Sequence, residues 1–265
     1  MIKTIIFDLD DTLLWDKKSV KEAFAATCRT AAERYDVEPE KLEEEVRKAA
    51  RDLYSSYETY DFTKMIGINP FEGLWGNFLD DHDDFRKMAA IIPTYRREAW
   101  TNGLRQVGIE DAEFGAFLAE EFPKNRKQSP FVYEETFSVL EALQADYQLI
   151  MLTNGSPDLQ NTKLTITPEL RPYFDHIIIS GDFGRGKPDP SIFEHVLETA
   201  GVKASEAVMV GDNLMTDILG ANRTGITSVW INREGQKATE VEPTYEINHL
   251  EELHDVIKDL NKENE

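Results

Sequence analysis

The chain starts with an apolar, β-branched run that stops on acids. Thr4-Ile5-Ile6-Phe7 leads straight into Asp8-Leu9-Asp10-Asp11-Thr12-Leu13. A short apolar run of this kind reads as a buried strand. Residues alternate faces along a strand, so Asp8 and Asp10 point roughly the same way while Leu9 turns back into packing. In open α/β sheets, sites are built at the carboxyl ends of strands. Two carboxylates side by side at such an end repel each other and require a cation, a shared proton or a chemical role.

Four more strand-like runs follow, all late in the chain, at residues 148–152, 176–179, 207–210 and 227–231. Helical patterns at 134–146, 190–200 and 215–224 separate them. Strand alternating with helix predicts parallel pairing through right-handed crossovers. The runs are continuously apolar, which places helices on both faces of the sheet. The fold class is therefore α/β, with a doubly wound five-stranded parallel sheet. Residues 16–130 read differently: helix-period patterns at 16–35, 39–57, 84–103 and 112–122, and no strand. The expected organisation is a core of residues 1–15 plus 131–265, interrupted by an all-helical domain of residues 16–130.

The charge balance restricts partners. Lysine and arginine number 29 against 50 acids, a net charge of -21. Such a surface repels nucleic acid and anionic membranes. No apolar run approaches a membrane span, and the N-terminus enters a strand with no signal-peptide pattern. Cys28 is the sole cysteine. It excludes an internal disulfide framework, suits a reducing cytoplasm, and reads as a small buried apolar residue. The expectation is a cytoplasmic protein, monomeric or a small homo-oligomer. An anionic substrate would need a locally positive site, made by a metal, a lysine or a helix N-terminus.

The strand ends supply candidates. The first carries Asp8 and Asp10, and the second Thr153-Asn154-Gly155. After the third comes Gly184-Arg185-Gly186-Lys187-Pro188-Asp189-Pro190. The fourth carries Gly211-Asp212-Asn213, with Thr216-Asp217 just inside the next helix. Any one alone reads as a turn or a helix start. Four in this order, on four strand ends, point jointly to phosphate chemistry.

The set Asp8-x-Asp10-x-Thr12, Thr153, Lys187 and Gly211-Asp212 with Asp217 resembles the four motifs of the haloacid dehalogenase (HAD) superfamily. The resemblance covers the core, about residues 1–15 and 131–265, and the helical insert matches the placement of a type C1 cap. It implies a Rossmann-like core and a phosphatase acting on a small phosphorylated metabolite with Mg²⁺. By resemblance Asp8 is the nucleophile that forms an aspartyl-phosphate. Asp10 protonates the leaving group and then deprotonates water. Thr153, Asn154, Gly155 and Lys187 bind the phosphate. The metal ligands are the Asp8 and Asp212 carboxylates and the Asp10 carbonyl, with Asp217 either a ligand or the group that orients Lys187.

Within the family, dehalogenases lack an acid at the Asp10 position, since halide needs no proton. Sugar phosphomutases usually carry Gly where this chain has Asp11. The segment 210–225 followed by Val229-Trp230-Ile231-Asn232 is similar to the branch of N-acylneuraminate-9-phosphatases and pyrimidine 5′-nucleotidases. A phosphomutase or a non-catalytic binding protein of the same fold are the alternatives. The acidic run Asp80-Asp81-His82-Asp83-Asp84 reads as a loop and helix N-terminus, where acids suit the dipole. Tyr54, Tyr57, Tyr60, Phe62, Trp75 and Phe78 read as cap core or as a pocket lining.

Overall fold

The computed structural model describes residues 1–237 and 240–263, so the last two residues of the expected core segment lie outside the described residues. The chain divides into two compact units. One is built from Met1–Trp15, Val132–Gly155 and Thr167–Glu265, the other from Asp16–Phe131 and Ser156–Ile166.

The first unit carries a parallel sheet. Its strands are β1 (Thr4–Phe7), β2 (Gln148–Thr153), β3 (His176–Ile179), β4 (Ala207–Gly211), β5 (Thr227–Ile231) and β6 (Tyr245–Ile247). The spatial order is β3-β2-β1-β4-β5-β6. Five strands were expected and six are present among the described residues. The extra one, Tyr-Glu-Ile, is too short and polar to show as an apolar run; it is defined by pairing to Val229–Ile231. β1 lies between β2 and β4, with Phe7 opposite both Met151 and Val210. β2 runs on from that level to Thr153 and β4 to Gly211, and the chain crosses to opposite sides of β1, the switch point where open α/β sheets bind ligands. β1 and β4 are buried throughout, as continuous apolarity requires. On one face Ile6, Ile150, Leu152 and Met209 pack with Ile192, Phe193 and Val196 of the helix Pro190–Ala200.

The second unit is helical. Its long helices are Asp16–Ala32, Pro39–Ser56, Asp83–Gln106 and Ala112–Lys127. Phe24, Trp100 and Phe122 form a mutually packed aromatic centre. Cys28 is fully buried in the same core. Tyr54, Trp75 and Phe78 are buried there too, and the Tyr54 hydroxyl donates to the Ile68 carbonyl at 3.2 Å. The helix Pro157–Ile166 packs with this unit. Leu159 enters its apolar core, and Lys163 makes a buried ion pair with Glu72 at 3.0 Å. Asp80 caps the start of that helix, accepting from the Ser156 hydroxyl and the Asp158 N–H, each at 2.7 Å. The rest of the acidic run behaves as a helix start: His82 is the N-cap of Asp83–Gln106, and Arg86 pairs with Asp81 and Asp83. Among the described residues, no helix is long and apolar enough to cross a membrane.

Candidate active site

The first unit brings the ends of β1, β2 and β4 and the loop after β3 to one place. Asp8 follows β1, and its N–H continues the ladder by donating to the Val210 carbonyl at 2.9 Å. Asp8 is buried, with its side chain 10% exposed. One oxygen accepts from Lys187 Nζ at 2.6 Å and the other from Thr12 Oγ1 at 3.2 Å. Burial pushes the Asp8 carboxyl up to about 7, against the Lys187 charge and with help from Asp217 and Asp10.

Asp10 and Asp11 lie in the turn after Asp8. Asp11 has a positive φ of 62°, and the N–H groups of Leu13 and Leu14 both donate to the Leu9 carbonyl. Left-handed backbone is several-fold enriched in aspartate, whose short side chain tolerates it, so Asp here suits the turn.

Lys187 Nζ donates to Asp8 at 2.6 Å and to the Leu152 carbonyl at 2.8 Å, and it forms an ion pair with Asp217 at 2.8 Å. Its side chain is 2% exposed. The adjacent carboxylates outweigh its burial and hold the ammonium above the usual lysine range. Asn154 sets the loop that delivers it. The Asn154 side chain accepts from the Lys187 N–H at 2.8 Å and donates to the Lys187 carbonyl at 3.0 Å. The Gly155 N–H donates to Ser180 Oγ at 2.8 Å. Thr153 is the buried last residue of β2.

Asp217 sits on a wide π-type turn, Leu214–Ile218, capped by Asn213. Such turns recur at functional sites. One Asp217 oxygen meets Lys187 and the other accepts from the Asn213 N–H at 3.1 Å. Gly211 is required here, because a Cβ would overlap the Asp217 carboxylate. The Asp212 carbonyl accepts from the Trp230 indole at 2.8 Å.

Asp8, Asp212 and Asp217 each offer a carboxylate oxygen within 4.8 Å of the others. Hard oxygen donors and a net negative cluster fit a divalent cation such as Mg²⁺. The sequence-expected residues Asp8, Lys187, Asp212 and Asp217 are therefore brought together. Reading the sequence missed the Thr12 hydroxyl on Asp8, the Asn154 side chain as the holder of Lys187, and Ser180 on Gly155. Thr12 was visible as the last residue of the first motif, but nothing in a linear pattern shows that its hydroxyl folds back four residues.

A family model described as haloacid dehalogenase-like hydrolase matches residues 2–225. A phosphoserine phosphatase of Thermus thermophilus is 33% identical over 232 residues, covering 88% of this chain and 89% of that one. An N-acylneuraminate-9-phosphatase of Mus musculus is 32% identical over 159 residues, covering 57% of this chain and 62% of its own length. The HAD hydrolase YfnB of Bacillus subtilis, solved bound to magnesium, superposes with a TM-score of 0.68 at 23% identity, covering 97% of this chain and 98% of that one. The last likeness is one of fold. The chain belongs to the haloacid dehalogenase-like hydrolase family. It is an enzyme of that family, and the Thermus thermophilus and Mus musculus relatives are phosphatases.

Proposed function

We propose that the protein is a Mg²⁺-dependent phosphatase that hydrolyses a small phosphorylated metabolite through an aspartyl-phosphate on Asp8. The observation that carries this is the environment of Asp8: a buried carboxylate held by an ammonium at 2.6 Å, beside two further carboxylates within 4.8 Å. A structural ion pair needs one acid and one base. Three acids and one lysine leave negative charge that suits a bound cation, and that cation would in turn offset the charge of a phosphate.

The chemistry follows from the residues. A phosphate monoester is anionic and its alkoxide leaves poorly, so the protein must hold a nucleophile, offset charge and supply a proton. Asp8 attacks phosphorus and the ester oxygen departs, which splits the reaction into transfer and hydrolysis. Lys187 and Thr12 fix the Asp8 carboxylate in one rotamer. Asp10 gives its proton to the departing oxygen and then takes one from the attacking water. Thr153 donates its hydroxyl to the phosphate. Asn154 and Gly155 build the loop that presents it. Asp8, Asp212 and the Asp10 carbonyl would hold Mg²⁺, with Asp217 beside them. Bound there, the cation would offset the combined negative charge of Asp8 and the phosphate. The helical unit is the candidate cap that selects the metabolite and excludes water.

The test is hydrolysis of p-nitrophenyl phosphate with Mg²⁺ and with chelator, followed by a panel of phosphorylated amino acids, sugars and nucleotides. Turnover that requires Mg²⁺ is expected. A protein that is folded, loaded with Mg²⁺ and inert on every ester would favour a binding role.

A further inference from the structure

The turn that carries the nucleophile is clamped from outside by a residue beyond every motif. We propose that Arg233 is a positioning residue for Asp8. The proposal rests on the reading of Asp8 as nucleophile.

Arg233 lies two residues past β5, on the strand-end edge that also bears the site. Its Nη2 donates to the Thr12 carbonyl at 3.2 Å. The Thr12 hydroxyl in turn donates to the Asp8 oxygen that Lys187 does not hold. The same guanidinium pairs through Nη1 with Glu135 at 2.6 Å, and its flat face lies 3.5 Å from the centroid of Tyr133. Glu135 is buried, 5% exposed in its side chain, and it also faces His249 at 3.5 Å. Tyr133 stacks on Trp15, ring centroids 5.2 Å apart.

The rest of the turn has its own anchors, at a different carbonyl. Leu13 O accepts from the Tyr133 N–H at 3.2 Å and from Thr136 Oγ1 at 3.0 Å. Thr12 O is held by Arg233. Removing that contact leaves the Leu13 carbonyl and the Leu13 N–H bonded, and releases the Thr12 carbonyl at the residue whose hydroxyl meets Asp8. Asp8 would keep Lys187 while the donor on its second oxygen is less tightly aimed. A lysine could keep the charge, but it lacks the planar fork that spans Glu135 and Thr12 while stacking on Tyr133.

The experiment compares wild type, Arg233→Lys, Arg233→Gln and Arg233→Ala with the Asp8→Asn control on p-nitrophenyl phosphate. For positioning, kcat falls about ten- to a hundredfold in the Lys and Gln variants while KM moves less than about threefold. Added millimolar guanidinium restores part of the Arg233→Ala rate, and thermal unfolding shows the variants folded. Folded Lys and Gln variants with wild-type kcat would overturn the proposal. So would a loss of rate that only follows the folded fraction and is not rescued by guanidinium. Activity in Asp8→Asn, or none in wild type, would instead sink the proposed function.

Discussion

One ammonium serves two buried carboxylates at this site, since Lys187 contacts both Asp8 and Asp217. That arrangement has a measurable consequence. In the metal-free protein the Asp8 carboxyl is raised from 3.8 to about 7, with burial the largest cause. An acid whose folded pKa is raised holds its proton more tightly when folded, so its contribution to stability is lost as pH rises between those two values. A cation ligand must be deprotonated, so Mg²⁺ binding has to release that proton below about pH 7. The increase in melting temperature on adding Mg²⁺ is therefore expected to be larger at about pH 8 than at about pH 6, with proton release at the lower pH seen by calorimetry in two buffers. A Mg²⁺ effect independent of pH would contradict the charge balance drawn for Asp8. The second residue-scale expectation concerns Asp10. Asp10→Asn should slow alkyl phosphates, whose leaving groups need a proton, by about a hundredfold or more, and esters of acidic phenols much less. A uniform loss across a leaving-group series would remove Asp10 as the acid.

At the scale of elements, the helix Pro157–Ile166 is the least expected piece. It follows Thr153-Asn154-Gly155 in sequence but packs with the helical unit, through Leu159, the Asp80 cap and the Lys163–Glu72 pair. Breaking a buried pair by removing one partner leaves a charge without compensation. Lys163→Met is expected to destabilise the protein by about 3–5 kcal/mol in chemical denaturation, and a Lys163→Met, Glu72→Met double variant to recover most of it. Equal stability of the single variant and wild type would show the pair to be incidental. The same scale shows what was legible. Four motifs on four strand ends were readable because strand order and polar ends survive in a linear string. The end of the last long helix was not: the pattern stops at Phe122 because Pro123 follows, yet the helix runs through that proline to Lys127. A proline removes one donor and crowds one carbonyl, a local cost that tertiary packing of Leu118, Phe122 and Arg126 outweighs. The strand β6 was equally hidden, since three residues have no periodicity and only their pairing to β5 defines them. Arg233 escaped for a third reason: its partners Thr12 and Glu135 are distant in sequence, and long-range pairs leave no spacing signal.

For the whole molecule, the net charge of -21 opposes an anionic substrate at long range, while the proposed site would hold one at short range. Screening weakens the first effect more than the second. Raising salt from about 0.02 to about 0.15 M is expected to increase kcat/KM for a phosphate dianion by up to a few fold, read from steady-state rates at fixed Mg²⁺. A steep decrease would mean that the local positive field extends well beyond the site. The most direct test of the whole account is chemical capture of the intermediate. Enzyme mixed with substrate and Mg²⁺ is quenched in acid and treated with borohydride, which reduces an acyl phosphate to the alcohol. The reduced residue is then located by peptide mass spectrometry. The account predicts homoserine at position 8, dependent on substrate and absent from Asp8→Asn. Turnover with no reduced residue at position 8, or with reduction at another carboxylate, would contradict it.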